Sequence, residues 1–184
     1  PREADEHAGV PGGHDRLVSY LTIMPDIIYR YDTEALKKDP PLTPDAAIER
    51  LEAGNRQFAA MLDGPANGKT VIHFNAADMG LPGADGKPPR QAPFAAVLSC
   101  ADARVPLEMI LGQACNDLFV VRVAGNVLGS ECLGSLDYAI SNMSDSLRVV
   151  VVLGHSGCGA VTAAVEAFIE PTKYLSFASS HPLR

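Results

Sequence analysis

Three stretches of the chain consist of consecutive apolar residues rather than alternating apolar and polar ones. They are residues 94–98, 118–121 and 149–153, and each ends abruptly at polar residues or glycine. Continuous runs rich in β-branched residues are typical of strands that are buried on both faces, as in a parallel sheet. Residues 131–143 and 158–169 are candidate crossover helices. The pattern therefore predicts an α/β fold with a parallel-stranded central sheet covered by helices.

A further helix is predicted upstream of the first of these strands. Thr43 is a suitable N-cap, and Pro44 stands at the first helical position, where proline is favoured. Gly64 and Pro65 would end the helix. We expect this helix to open the main domain, residues 43–184. The apolar face of the helix comprises Ala47, Ile48, Leu51, Phe58, Met61 and Leu62.

The segments on either side of that helix carry weaker patterns. Residues 1–13 are rich in glycine and proline, and residues 15–31 show a loose helical spacing that Pro25 interrupts. We predict that residues 1–42 form an N-terminal helical arm rather than an independent domain. The dense glycine and proline of residues 64–91 predict a long surface connection.

Composition narrows the classes of protein to which the chain can belong. With 184 residues, of which 47% are hydrophobic and 20% charged, it can bury a core, which excludes a disordered chain. The formal net charge of −7 argues against nucleic acid and anionic membranes as partners. No apolar run reaches the roughly 20 residues that span a bilayer. The opening residues carry no signal-type apolar region, so we expect a cytoplasmic location, or a periplasmic one if an upstream signal was removed.

Side chains that bind metals stand where two of the predicted strands end. Cys100 follows the first strand, His155 follows the third, and Cys158 comes three residues later at the start of a helix. In open parallel sheets, sites form beyond the carboxyl ends of the strands. Two thiolates and an imidazole suit Zn²⁺, and three protein ligands leave the open fourth position of a catalytic site. A lone cysteine is more often a small buried hydrophobe, which is the interpretation we favour for Cys115 and Cys132.

A carboxylate and a guanidinium accompany the first of these cysteines. Asp102 and Arg104 follow Cys100 by two and four residues, so all three would share a face of an extended strand end. A carboxylate paired with a guanidinium stays ionised and can accept a hydrogen bond from a hydroxide on the metal. Other classes of site do not match. Pro106 and Ala164 stand where a cysteine phosphatase needs arginine, and the zinc deaminase and dinucleotide-binding motifs are absent.

Through these motifs the sequence resembles the β-class carbonic anhydrases over about residues 44–165. The combination of Cys-x-Asp-x-Arg with a later His-x-x-Cys is highly specific for that family. One departure is Ala103, where the family usually has serine, and we also expect this chain to lack part of the family's C-terminal region. The matching segments are AAIERL (46–51), GNRQF (54–58), SCADARV (99–105), DLFVVRVAGN (117–126) and GHSGCG (154–159).

The resemblance implies an activity and a role for each residue of the central motifs. Cys100, His155 and Cys158 would bind zinc, and Asp102 with Arg104 would form the dyad that orients the hydroxide. The implied reaction is the reversible hydration of CO₂ to bicarbonate and a proton by zinc-bound hydroxide. The zinc ligands do not separate this reaction from hydrolysis of carbonyl sulfide or carbon disulfide. A non-catalytic zinc-binding scaffold is the third alternative.

The resemblance also implies a substrate pocket and an oligomer. Gln91 would donate a hydrogen bond to bicarbonate, Phe119 and Tyr138 would line the CO₂ pocket, and the backbone N–H of Gly159 would contact the substrate. In the family several of these residues act across a subunit interface. We therefore expect a homodimer or a higher even-numbered oligomer.

Overall fold

The structure is a computed structural model that describes residues 26–33, 39–62, 69–83 and 85–172. The glycine-rich lead, residues 1–13, and much of the predicted arm lie outside the described residues. None of the helices in the described ranges combines the length and apolarity that a membrane span needs.

The predicted parallel sheet is confirmed. It contains strands β3 (Ala95–Ser99), β4 (Leu118–Arg122) and β5 (Val149–Leu153) in the order β4-β3-β5, and both neighbouring pairs are parallel. Because β3 lies in the middle, all five of its residues are buried, whereas β5 at the edge is only half-buried. The first and third apolar runs therefore differ in burial, although both are continuous in sequence.

Helices cover both faces of this sheet. Helix α1 (Pro44–Leu62) and the short helix α2 (Leu107–Ile110) pack on the face that contains Ala95 and Val97. Helix α3 (Ser130–Asn142) packs on the other face, against Ala96 and Leu98. Successive residues of β3 point to opposite faces, so one short strand supplies apolar contacts to both cores.

Two further helical elements follow the strands. A short 3-10 helix, Ala124–Asn126, lies directly after β4, and helix α4 (Gly159–Ile169) follows β5. The two elements contact each other, which brings the ends of β4 and β5 together. The predicted helices 131–143 and 158–169 correspond to α3 and α4 within one residue at their described ends.

Helix α1 begins as predicted and is anchored to the sheet by a charged side chain. The hydroxyl of Thr43 accepts a hydrogen bond from the N–H of Ala46 at 3.2 Å, which caps the first turn. Arg50 donates to Asp117 at 2.9 Å and to Gln113 at 3.0 Å, and its guanidinium lies over the ring of Phe94. These contacts join α1 to the segment that leads into β4.

Two predictions for the N-terminal part are wrong in the described residues. Asp26–Tyr31 forms a strand, β1, rather than a helix, and Lys69–Phe74 forms a strand, β2, within the predicted surface connection. The two strands pair in parallel and form a separate two-stranded sheet. Ile27, Ile28 and Tyr29 are β-branched or aromatic, and such residues favour strands once a partner is available.

Candidate metal centre

The three predicted metal ligands meet at the carboxyl edge of the central sheet. Cys100 directly follows β3, His155 lies two residues after β5, and Cys158 is the N-cap residue of α4. A tight turn connects the last two, and Gly157 at its corner has a φ of 63°, which favours glycine. Because Ser99 pairs with Leu153 in the sheet, the segments that follow these residues leave the sheet side by side.

The geometry of this cluster fits a zinc ion. The ligand atoms of the three residues all lie within 4.8 Å of one another, and the two sulfur atoms are 3.7 Å apart. Two zinc–sulfur bonds of about 2.3 Å at a tetrahedral angle place the sulfurs about 3.8 Å apart. Nε2 of His155 is buried and has no hydrogen-bond partner among the residues that the structure describes. A buried imidazole nitrogen that faces two sulfurs without a partner is the donor that a metal requires.

The surroundings of Cys100 favour its thiolate form. The backbone N–H of Gly125 donates to its Sγ at 3.4 Å, and this contact, with the nearby His155, lowers the pKa of the thiol to about 6. The same interaction with the sulfur raises the pKa of His155. The thiolate is the form that binds metal, so the fold prepares this ligand before any ion arrives.

Asp102 and Arg104 form a two-pronged ion pair beside the cluster. Arg104 donates to the two carboxylate oxygens at 2.9 and 2.6 Å, and these hydrogen bonds hold the pKa of Asp102 well below its usual range. Oδ2 of Asp102 lies 3.9 Å from Nε2 of His155, and both side chains are largely buried. The structure therefore places an ionised carboxylate at the cluster while a guanidinium holds it.

The predicted reason for this pairing is wrong, although the pair itself is present. The strand ends at Ser99, so Asp102 and Arg104 do not share the face of an extended strand. They lie in a turn, in which Oδ1 of Asp102 also accepts the backbone N–H of Arg104 at 2.9 Å. An aspartate that binds the N–H two residues later is a local turn motif, and it brings the two side chains together.

The remaining predicted site residues are not all near the cluster. Gly159 adjoins Cys158 at the start of α4. Phe119 and Tyr138 lie close to each other, with ring centroids 6.4 Å apart. However, Phe119 pairs with Ala96, four residues before Cys100, which is a distance of about 13 Å along the strand. Gln91 is exposed and precedes β3, at the opposite end of the sheet from the cluster.

The other two cysteines, Cys115 and Cys132, are half-buried. Neither belongs to the metal cluster, since the described residues that could hold an ion are Cys100, His155 and Cys158. The sequence analysis did not single out Gly125, whose N–H reaches the sulfur of Cys100. Its signal in the sequence is the Gly-Asn pair that follows β4, because glycine and asparagine are the residues that adopt left-handed turns.

Comparisons with known proteins agree with this site. A family model described as carbonic anhydrase matches residues 95–179. Carbonic anhydrase 2 of Mycobacterium tuberculosis is 38% identical over 133 residues, which cover 72% of this chain and 58% of that protein. The carbonic anhydrase of Mycolicibacterium smegmatis is 37% identical over 71% of this chain and 57% of that protein. The crystal structure of a β-carbonic anhydrase from Aspergillus fumigatus matches with 27% identity and a TM-score of 0.39, over 46% of this chain and 43% of that one.

The matched region contains both metal-binding motifs and the ion pair. The chain spans less than two thirds of the length of the mycobacterial relatives. The family model covers the ligands on both sides of the cluster, from Cys100 to Cys158. Over this matched region the protein belongs to the β-class carbonic anhydrases, a family of enzymes.

Proposed function

We propose that this protein catalyses the reversible hydration of CO₂ to bicarbonate and a proton at a zinc ion held by Cys100, His155 and Cys158. The observation that carries the proposal is the ionised Asp102, held by Arg104 beside the Cys-His-Cys cluster. Metal storage requires the ligands alone. A carboxylate that is kept charged next to them supports a reaction in which a hydroxyl group must be oriented.

Each side chain of the site has a defined task in this reaction. A zinc ion held by Cys100, His155 and Cys158 would supply a nucleophile at neutral pH, since zinc lowers the pKa of bound water to about 7. Asp102 is ionised and can only accept hydrogen bonds, so it fixes the direction of an O–H group next to the cluster. Arg104 occupies both carboxylate oxygens and thereby keeps Asp102 from becoming a fourth ligand.

The activity test compares turnover per bound zinc in variants of the dyad. We expect Asp102→Asn to keep its zinc and to hydrate CO₂ about 100-fold more slowly, because an amide is a weaker acceptor and lacks the charge. Arg104→Ala should also lose activity with zinc bound. Asp145→Asn is the matched control, since Asp145 forms an exposed pair with Arg90 at 4.0 Å, away from the cluster.

The outcomes of this test separate the alternatives. Wild-type turnover in both dyad variants would contradict the proposed mechanism. If zinc-loaded wild-type protein hydrolyses carbonyl sulfide or carbon disulfide but does not hydrate CO₂, the reaction belongs to the sulfur analogues. If it turns over none of these substrates, the protein is a zinc-binding scaffold.

We also propose that the active unit is a homodimer or a higher even-numbered oligomer, in which a neighbouring copy supplies Gln91, Phe119 and Tyr138 to the pocket. The support is the distance of about 13 Å along the sheet between Phe119 and the level of Cys100 in one copy. Side chains this far apart do not line one small pocket for CO₂. The exposure of Tyr138, at 51%, fits a residue that a second copy covers.

Mixed dimers test this arrangement. A homodimer of Asp102→Asn lacks the native dyad in both sites, and a homodimer of Phe119→Ala lacks the phenylalanine in both sites. If Phe119 serves the neighbouring copy, a mixed dimer of the two variants contains one site with a native dyad and a native Phe119. We expect mixing to restore activity through that site, whereas a fully active monomer in sedimentation would contradict the proposal.

We further propose a cytoplasmic location. The sulfur atoms of Cys100 and Cys158 lie 3.7 Å apart without a disulfide bond between them, which fits a reducing compartment. Fractionation of cells that express the full-length protein would test this, and recovery from the periplasm would contradict it.

A further inference from the structure

We propose that Arg122 and Asn126 are positioning residues that hold the metal ligands and the dyad by binding main-chain carbonyls of the segments that carry them. The inference rests on the proposed function for its catalytic consequence, but its consequence for zinc binding is independent of turnover. Both side chains donate hydrogen bonds at the carboxyl edge of the central sheet, and neither offers a ligand atom to the cluster.

Arg122 connects the end of β4 to the segment after β3. Its Nε donates to the carbonyl of Cys100 at 3.0 Å, and one of its terminal nitrogens donates to the carbonyl of Asp102. A single planar guanidinium therefore fixes the backbone of a metal ligand and of the dyad aspartate at the same time. Lysine has a single ammonium group on a flexible stem and does not reproduce this fork.

Asn126 connects the end of β4 to the end of β5. Its side-chain Nδ2 donates to the carbonyl of Leu153 at 2.9 Å, and the buried hydroxyl of Ser99 donates to the same carbonyl at 3.0 Å. Leu153 is two residues before His155. The carbonyl at the end of β5 thus receives two side-chain hydrogen bonds, and both restrain the start of the turn that carries the histidine.

The backbone of Asn126 carries a second indication of a special role. Its φ is 58°, and the preceding Gly125 has a φ of 65°, so two consecutive residues are left-handed. A left-handed residue other than glycine is uncommon and persists where its surroundings require it. Here the conformation directs the Gly125 N–H to Cys100 and the Asn126 amide to Leu153.

Together these contacts join three separate segments into one unit. The segments after β3, β4 and β5 each contribute a donor or a carbonyl, and two of them carry zinc ligands. Metal sites require their ligands within a few tenths of an ångström, and residues that orient ligands typically affect affinity or activity by about 10- to 100-fold. Loss of either side chain should therefore loosen the ligands while the sheet remains folded.

The first experiment replaces Arg122 by glutamine. We expect zinc affinity, measured by competition with a chromophoric chelator, to fall about 10- to 100-fold. In Co²⁺-substituted protein, the thiolate charge-transfer and d–d bands should shift, because they report the positions of the ligands. Arg122→Lys should lie between wild type and Arg122→Gln.

Arg148→Gln is the matched control for this variant. Arg148 also donates mainly to main-chain carbonyls, among them those of Leu42 and Asp145, but it lies just before β5 at the other end of the sheet. We expect Arg148→Gln to change the thermal unfolding of the metal-free protein without changing zinc affinity or the Co²⁺ spectrum. An unchanged spectrum and affinity in Arg122→Gln, or equal losses in both variants, would overturn the role of Arg122.

The second experiment replaces Asn126 by glycine, which keeps the left-handed backbone and removes only the amide. Asn116→Gly is the matched control, because Asn116 is also left-handed, with a φ of 64°, and its side chain also binds the backbone, at Ala92. We expect weaker zinc binding and an altered Co²⁺ spectrum in Asn126→Gly alone. Wild-type values for both measurements in Asn126→Gly would refute the role of Asn126.

These measurements distinguish this inference from the proposed function. If wild-type protein fails to hydrate CO₂ but Arg122→Gln and Asn126→Gly lose zinc affinity, the proposed function fails and the positioning role stands. If wild-type protein is active and both variants keep affinity, spectrum and turnover, the proposed function stands and the positioning role fails.

Discussion

Replacement of Gly54 by alanine tests a close approach between two backbone segments, those of α1 and of the turn at Leu111. Gly54 lies in α1, and a Cβ built there would be 1.8 Å from the carbonyl oxygen of Leu111 and 2.5 Å from its carbonyl carbon. The facing turn also has a glycine at the contact: Gly112 has a φ of 61°, and a Cβ built there would lie 3.0 Å from the Cα of Gly54. Helix α1 can therefore pack at this depth only because residue 54 has no side chain.

Two opposing contributions determine how much Gly54→Ala changes the free energy of unfolding. Alanine is favoured over glycine in a helix by about 1 kcal/mol. Against this, the carbonyl of Leu111 must retreat by about 1.2 Å to reach the 3.0 Å that real Cβ atoms require. The atom is backbone, and the same segment continues to Gln113 and Asp117, which Arg50 binds from α1. Overpacking costs about 1–3 kcal/mol, and the upper end applies here because the displaced atom is backbone; after the helix gain of about 1 kcal/mol, we expect a net loss of about 2 kcal/mol.

Thermal unfolding of Gly54→Ala and of a matched variant measures this loss. For a chain of this size, a loss of about 2 kcal/mol lowers Tm by roughly 4–8 °C. Gly134→Ala is the control, because Gly134 lies within helix α3 and a Cβ built there would meet no described atom within 4 Å outside its own helix backbone and chain neighbours. At position 134 the same substitution should raise the free energy of unfolding by up to about 1 kcal/mol. If Gly54→Ala is as stable as the wild type, the close approach of α1 to this turn is wrong.

Two further predictions concern the metal and the smaller sheet. Elemental analysis should find one zinc per chain in the wild type and none after His155→Ala and Cys158→Ala are combined; zinc retained in that variant would contradict the ligand set. Burial, helped by Glu108 and Cys115, raises the pKa of Tyr29 above its ordinary value of 10.0. A spectrophotometric titration should therefore show a late phase of tyrosine ionisation that Tyr29→Phe removes. Because the unfolded chain ionises this tyrosine more readily, stability should fall as the pH rises through 10, and less steeply in Tyr29→Phe.

The central sheet could be predicted from the sequence because its strands satisfy a local rule. A strand that is covered on both faces needs apolar residues at every position, and β3 meets this requirement with Ala95 to Leu98. The cluster of Cys100, His155 and Cys158 could be predicted for a related reason. In a parallel sheet all strands end at the same edge, so residues that follow different strands become neighbours whatever their separation in sequence.

The small sheet could not be predicted in this way. Strand β1 pairs with β2 across 43 positions of sequence, from Asp26 to Lys69 in the register. Neither strand alternates apolar and polar residues cleanly, and His73 in β2 contacts Asp32 across the pair at 3.5 Å. Their stability depends on each other and on contacts such as Gln57 to Thr70. A pattern that is read locally does not contain such a pairing, since strand propensity depends strongly on context.

The register of the central sheet determines which residues lie at the metal cluster and which lie far from it. Ser99 pairs with Leu153, so Cys100 and His155 follow the same level of the sheet by one and two residues. A slip of one residue would move His155 by about 3.3 Å and reverse the faces of β5, which no zinc site tolerates. The same register pairs Ala96 with Phe119 and keeps that ring near the opposite end of the strands. The register that assembles the metal ligands therefore also separates them from the proposed apolar pocket residues, and it is the physical reason to expect that a second copy completes the site.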